Sequence, residues 1–493
     1  MKSKLLSAIF IAGMSAACSV QPDVTVNVTN KVINPAYIGN GVEWDPYDEA
    51  GAWGAPLSDS DWQKLFDRLD YMRPAYVRCM INSPFRYFDS ESGEYCPDRN
   101  SESIERLLGY CQKNNIMVVY GEYNPPTWNM KQDQRWVDMS VAYLNRLVTE
   151  KGFSCIRHFV IFNEPDGDWA STDGDFDMWL SMAGRFHAKM AEYPGLLDNV
   201  SLAGPDVVAE YHNRNSKYDT AGWLEQTVSR ADSLIGLYDI HAYPGQAEVR
   251  SGAYRKLLQG YRHIVPQNKQ VILGEAGYKY WREADSLLMA EYNHRAEGHP
   301  FTNGSDCNML VYDKFYGLDM ALLVSEVMNS GFSGVAAWML DDAMHSQGDS
   351  GKPEDIKLWG MWNILGEEVF GDASQEDVRP WYYTWSLMCR CFPAGCDVTR
   401  SSSDCNDIFT VSAIDAEGRM SVAVINVGAD SHQVALNLPR ALKNAALFSY
   451  SEADGIALGP DGLPAAVINN ICDNALRIPM DAYSMIILTE IDF

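Results

Sequence analysis

The chain has 493 residues, 46% of them hydrophobic and 12% aromatic, and a formal net charge of −27. Such a composition belongs to a packed globular protein and excludes a disordered chain. The acidity excludes nucleic acid as a partner, and adsorption to an anionic membrane by charge alone, because both require a basic surface.

The N-terminal seventeen residues read as an export leader. Lys2 and Lys4 supply a positive start, and Leu5 to Met14 supply an apolar core too short to span a bilayer. Ser15-Ala16-Ala17-Cys18 follows and resembles a bacterial lipobox, with Ser15 where leucine is usual. The resemblance implies that Cys18 becomes a lipidated N-terminus, holding an exported protein at the outer membrane or in the periplasm of a Gram-negative bacterium. An ordinary signal peptide cleaved near Ala17 is the alternative. No later stretch is long and apolar enough to span a bilayer, so a lipid at Cys18 is the one membrane contact expected. Residues 18–33 then form a tether and, through the alternation of Asp23 to Val32, a strand.

From residue 34 to 392 short β-rich runs alternate with helical periodicity. Strands fall near 36–39, 75–80, 116–120, 158–162, 201–203, 237–241, 270–273 and 334–338. Helices fit between them, among others at 174–191, 220–233, 251–264 and 314–330, and a last one opens at Arg379-Pro380. Eight β-then-α repeats predict a parallel sheet closed into a (β/α)8 barrel. A doubly wound open sheet would bring a glycine-rich phosphate turn after its first strand, and Gly39-Asn40-Gly41-Val42-Glu43 lacks the rest of that pattern. Residues 393–493 change texture to short β runs split by turns, which predicts a small antiparallel β-sandwich.

Of eleven cysteines, Cys389, Cys391, Cys396 and Cys405 are the densest group, without the paired spacing of a zinc site. Cys79 and Cys155 read as small buried hydrophobes, and disulfide pairing stays open.

Catalytic groups of such barrels lie at the C-terminal ends of strands. Carboxylates occupy that position at Glu43, Glu122, Glu164, Asp206, Glu275, Asp341 and Asp342. Glycoside hydrolysis wants two of them flanking one bond, one protonated and one ionised. Strand four runs into Asn163-Glu164-Pro165 and strand seven into Gly274-Glu275-Ala276-Gly277, on opposite sides of the mouth.

Asn-Glu-Pro after strand four with a glutamate after strand seven resembles the clan A glycoside hydrolases. A barrel followed by a sandwich is similar to families 30, 39, 51 and 79 of that clan. The resemblance implies a retaining glycosidase in which Glu164 is the acid/base, Glu275 the nucleophile and Asn163 the donor to the sugar 2-hydroxyl. It also implies that Arg78 lies near the nucleophile, that His241 and Tyr243 stand at the end of strand six, and that Trp338 floors the first sugar subsite. Glu164 is then expected to have a raised pKa. Trp44 and Glu122 at the rim are counted with the substrate-binding residues, and Trp128, Trp169, Tyr278, Tyr280 and Trp281 are further stacking candidates. The chemistry needs no metal or other cofactor, although the acidic loop of Asp341, Asp342 and Asp349 is a place where calcium could sit.

Long connections at 278–313 and 340–378 on the catalytic face suggest a walled pocket and exo-action. The expected partner is an oligo- or polysaccharide. A glycan-binding lipoprotein without turnover is the rival, and a transglycosylase would use the same residues.

Overall fold

The computed structural model describes residues 22–47, 56–299, 307–345, 356–471 and 474–492. Cys18 and Asp349 lie outside them. The first strand, β1 (Val24–Tyr37), belongs to the C-terminal sheet. One residue later the chain enters the barrel as β2 (Gly39–Glu43), so the run at 36–39 straddles this junction instead of forming the first barrel strand. The junction needs glycine: Gly39 has φ +118°, and a Cβ there would stand 2.3 Å from that of Ala75.

Strands β3 (Tyr76–Ile81), β4 (Met117–Glu122), β5 (Ile156–Val160), β6 (Ser201–Val208), β7 (Ile235–Ala242), β8 (Gln270–Ala276) and β9 (Gly334–Ala337) follow, all parallel, and β9 closes the barrel on β2. The main helices between and after them are α1 (Asp59–Met72), α2 (Ser101–Lys113), α3 (Gln134–Asn145), α4 (Phe176–Ala191), α5 (Thr220–Ala231), α6 (Ala253–Ile264), α7 (Lys314–Ser330) and α8 (Pro380–Cys391). Local chemistry sets their ends. Ser58 and Asp61 cap each other's backbone at the start of α1, and Pro380 occupies the first turn of α8, where its missing N–H costs nothing.

Side chains alternate along each strand. Tyr76, Met80, Val119, Val160, Ala203, Leu237, Ile272 and Ala336, drawn from seven strands, form a single cluster and therefore fill the barrel. Their neighbours Val77, Cys79, Val118 and Tyr120 pack outward under the helices. Two irregularities break this parity. Pro205 and Val207 of β6 pair with the adjacent Asp239 and Ile240, which leaves Asp206 as an extra residue. Leu273 and Glu275 of β8 pair with the adjacent Ile240 and His241, which leaves Gly274 extra. Each is a β-bulge, a device that re-aims side chains at the rim of a barrel.

The C-terminal strands are β10 (Cys396–Ser403), β11 (Ile408–Ile414), β12 (Met420–Asn426), β13 (His432–Asn437), β14 (Leu442–Ser451), β15 (Gly455–Ile456), β16 (Val467–Ile471), β17 (Ala475–Met480) and β18 (Ser484–Thr489). Hydrogen bonds join them with β1 in one continuous sheet. Val434, Leu436, Ile478 and Met480 from one end of the strand order share a core with Met420, Val422, Ile486 and Leu488 from nearer the other, so the sheet folds over on itself. It is mixed, not purely antiparallel, because Val24 to Asn27 pair in parallel with Val434 to Asn437. The far side of β12 and β18, carrying Ala423, Ile425, Met485 and Ile487, joins the barrel's outer core. The helix α7 lies at that junction and is buried on nearly every face. Tyr450 Oη donates to the Lys314 carbonyl at 2.6 Å and Asn329 Nδ2 to the Thr410 carbonyl at 3.0 Å.

The nine cysteines among the described residues are unbonded, Cys79 and Cys155 buried among them. No helix of the described residues is long and apolar enough to cross a membrane.

Candidate active site

Strand-end residues converge on Arg78. Its side chain points into the barrel from β3 and is wholly buried. Nη1 donates to Glu275 Oε1 at 2.7 Å and to both oxygens of Glu43 at 3.0 and 2.9 Å. Nη2 donates to Asn163 Oδ1 at 2.7 Å and Asp206 Oδ2 at 3.0 Å. One guanidinium thus fixes carboxylates from β2, β6 and β8 and the asparagine beyond β5.

Tyr243 Oη donates to the other oxygen of Glu275 at 2.6 Å. Glu275 faces inward because of the bulge at Gly274. That residue must lack a side chain, since a Cβ would lie 2.4 Å from Asp239 Oδ1, which accepts the Gly274 N–H at 2.7 Å. Asp206 sits at the other bulge with φ +66°.

Glu164 follows β5 in a tight turn closed by the Gly167 N–H on its carbonyl. Its φ is +48°, a conformation that costs a non-glycine residue about 1–3 kcal/mol and concentrates at functional sites. Its Oε1 contacts His241 Nδ1 at 2.9 Å and its Oε2 accepts the Trp169 indole N–H at 2.7 Å. His241, fully buried, places Nε2 3.2 Å from Asp206 Oδ1 and Nδ1 3.5 Å from Glu275 Oε2. One oxygen each of Glu164 and Glu275 lie within 4.8 Å of one another.

The charges follow from these contacts. Burial works against charge on His241, but the carboxylates of Glu275 and Asp206 outweigh it and lift the imidazole well above its ordinary range. Burial pushes Glu164 up, yet the hydrogen bond and charge of His241, the charge of Lys279 and the Trp169 bond bring it below the usual carboxylate range. The direction for Glu164 is thus opposite to the raised pKa that the resemblance implies, because His241 stands against its carboxyl. Asp206, despite burial, is held at about 2 by Arg78 and His241. Burial and the neighbouring Asp206 raise Asp239 well above its ordinary value, and burial raises Glu43, with Asp45 and Glu275 adding to it against Arg78.

The sets Glu164, His241, Glu275 and Asp206, Asp239, His241 each bring their donor atoms within 4.8 Å, the spacing of a metal site. In the first set Arg78, Tyr243 and His241 already supply donors to the carboxylates; in the second, Arg78 and His241 serve Asp206, while Asp239 accepts the Gly274 N–H.

Trp338, beyond β9, stacks on His345 with centroids 5.6 Å apart and planes at 27°. His345 Nε2 lies 3.0 Å from Asp45 Oδ2, and Tyr123 Oη donates to the same oxygen at 2.5 Å and to Glu43 Oε1 at 3.3 Å. Asp45, Tyr123 and His345 thus form a second polar wall. No motif points to them, although Tyr123 follows β4 directly and Asp45 stands two residues past β2.

Two expected residues turn away. Glu122 is on the outward parity of β4, as its neighbours Tyr120 and Val118 are. Fully buried, it accepts bonds from Tyr87, Trp136 and Ser140, and burial pushes it up to about 7. Trp44, one residue past the inward Glu43, packs on Trp62 and Tyr110 and donates to Tyr47 Oη. Neither can touch a sugar in the barrel mouth. Tyr278 and Tyr280 are buried as well, whereas Trp128, Trp169 and Trp281 are exposed. Asp341 and Asp342 hold no open acidic loop. They are fully buried, accepting N–H groups of Ala343 and Ile364, and of Trp359 and Gly360, respectively.

A closed eightfold barrel joined to a β-sheet domain is the fold of solved glycoside hydrolases in families 30, 39 and 51. The chain is similar to the catalytic domain of a family 30 xylanase C from Talaromyces cellulolyticus, with TM-score 0.61 and 13% identity over 95% of this chain and 100% of that one. It is similar to a family 39 β-xylosidase from Caulobacter crescentus, with TM-score 0.58 and 12% identity over 94% and 99%. A family 51 α-L-arabinofuranosidase from Bifidobacterium longum gives TM-score 0.58 and 12% identity over 95% and 100%. At such identities the likeness establishes the fold and assigns no single family. No family model matches the chain, and no curated protein matches it by sequence.

Proposed function

We propose that the protein is a retaining glycoside hydrolase acting by double displacement. The observation that carries this reading is the separation of under 4.8 Å between oxygens of Glu164 and Glu275. Retaining enzymes hold their carboxyl groups about 5–5.5 Å apart, whereas inverting enzymes need about 6.5–9.5 Å to admit a water. Glu275, oriented by Arg78 and Tyr243, attacks the anomeric carbon. Glu164 protonates the departing oxygen and then takes a proton from the water that frees the sugar. Arg78 occupies Asn163 Oδ1, which turns the amide N–H groups of Asn163 toward the sugar hydroxyl beside the reacting carbon. Trp338 floors that subsite, backed by His345, and exposed Trp169 and Trp281 extend the platform.

The substrate is an oligo- or polysaccharide, cleaved from chain ends, and the enzyme is tethered by lipid at Cys18 in the outer membrane or periplasm. The similar structures are named a xylanase, a xylosidase and an arabinofuranosidase, so a screen starts with pentosides and plant polysaccharides. Wild type is expected to release sugar from at least one of them, and Glu275→Ala to lose on the order of 10⁴-fold in kcat. Glycan binding with no turnover by wild type, or activity unchanged in Glu275→Ala, would overturn the reading.

A further inference from the structure

We propose that His241, clamped between Glu164 and Asp206, stores the proton that Glu164 delivers to the leaving oxygen, and that Asp206 holds the store in place. The proposal rests on the glycosidase reading and adds two positioning residues to it.

The geometry is a buried linear chain. Asp206 Oδ1, His241 Nε2, His241 Nδ1 and Glu164 Oε1 follow one another at 3.2 Å and 2.9 Å on either side of the ring. Both nitrogens of the imidazole face carboxyl oxygens, the arrangement that a ring protonated at both positions satisfies with two donated hydrogen bonds. The second oxygen of Glu164 is taken by the Trp169 N–H, and that indole cannot protonate anything, so of the two side chains bonded to the carboxyl the imidazole is the one able to hand over a proton. Asp206 is itself fixed by Arg78 on its second oxygen. The bulge and positive φ at Asp206 give it this position, a local distortion of the kind that re-aims side chains at functional sites.

The charged and titratable groups facing the ring are Glu164 from the turn after β5, Asp166 two residues further on, Asp206 from β6, Glu275 from β8 at 3.5 Å, Arg78 from β3, and Asp239 from the ring's own strand. Glu275 is the partner whose charge changes during the reaction. As its oxygen lone pair forms the ester bond, the glycosidic C–O pair leaves with the departing oxygen. The Nδ1 proton moves to Glu164 Oε1, and the departing oxygen takes it from there. The Glu164–His241 couple passes from neutral to singly negative as Glu275 passes from negative to neutral, so the buried charge is conserved. When water attacks, its proton goes to Glu164 and on to Nδ1, and the ester electron pair returns to Glu275. Loss of the Glu275 charge thus loosens the stored proton at the step that spends it.

The test needs no substrate. In protein carrying ¹⁵N-histidine, the His241 signals are assigned among nine histidines by their loss in His241→Gln. Wild type should show both His241 nitrogens protonated at pH 7. Glu275→Gln, which removes the charge as the ester does, should lower the His241 titration midpoint by about one pH unit or more, and Asp206→Asn should do the same. A neutral His241 at pH 7 in wild type, or a midpoint unmoved in Glu275→Gln, overturns the proposal. If Asp206→Asn does not fold, Glu275→Gln carries the comparison alone. A protein with no turnover but a protonated, Glu275-dependent His241 defeats the glycosidase reading, whereas an active enzyme with neutral His241 defeats the store alone.

Discussion

Arg78 is where the active site and the stability of the barrel meet. Its guanidinium is fully buried and bonds three carboxylates and one amide. Removing one partner of a buried ionic cluster leaves uncompensated charge, at about 3–5 kcal/mol. Arg78→Met is therefore expected to lose about that much in urea unfolding; a loss below about 1 kcal/mol would show the carboxylates to be solvated. Asp206 makes the cluster pH-dependent. Its folded value of about 2 lies below the ordinary 3.8, so its contribution is present above pH 4 and is lost as pH falls toward 2. The difference corresponds to about 2 kcal/mol. Asp206→Asn should flatten the acid limb of stability between those pH values, read by denaturation at fixed pH. Glu164 and Glu275 are legible in the sequence because they stand at or just past strands in countable order, and Arg78, Asn163, His241 and Tyr243 through the clan A resemblance those two carry. The protonation state of Glu164 is not. It depends on His241, seventy-seven residues away, and on Lys279 and Trp169, which no strand count brings together.

At the scale of elements, alternation within a strand decides which rim residues see the mouth. Glu122 and Trp44 end the right strands but on the outward parity, and one residue of phase separates Trp44 from the inward Glu43. The first barrel strand lies past the run at 36–39, whereas the other seven of the eight and the helices expected at 174–191, 220–233, 251–264 and 314–330 are readable from periodicity to within a few residues. Bulges are not, because they have no hydrophobic signature, and two of them aim Asp206 and Glu275. Gly274 marks the second. Gly274→Ala would drive a methyl group to 2.4 Å from the Asp239 carboxylate. The expected result is a loss of about 1–3 kcal/mol in thermal stability, together with a fall of tenfold or more in kcat as Glu275 is displaced. An alanine variant with unchanged kcat would place the bulge outside the mechanism.

On the scale of the molecule, the sheet domain is a structural extension of the barrel. Its second face shares a core with the barrel's helices, and the N-terminal strand β1 passes through it before entering the barrel. The alternation of 23–32 already reveals that strand, whereas its parallel pairing with β13 depends on which strand lies beside it in space, and sequence carries no trace of that. The tether proposed upstream of β1 has its own test. Cys18→Ala should move the protein from the membrane fraction to the soluble periplasmic fraction, and unchanged fractionation would remove the lipid anchor from the account. The central claim is the division of labour between Glu164 and Glu275, and azide reads it directly. On a glycoside with an activated leaving group, azide should rescue Glu275→Ala with a glycosyl azide of inverted configuration, and Glu164→Ala with one of retained configuration. The same configuration from both variants, or the two exchanged, would contradict the account.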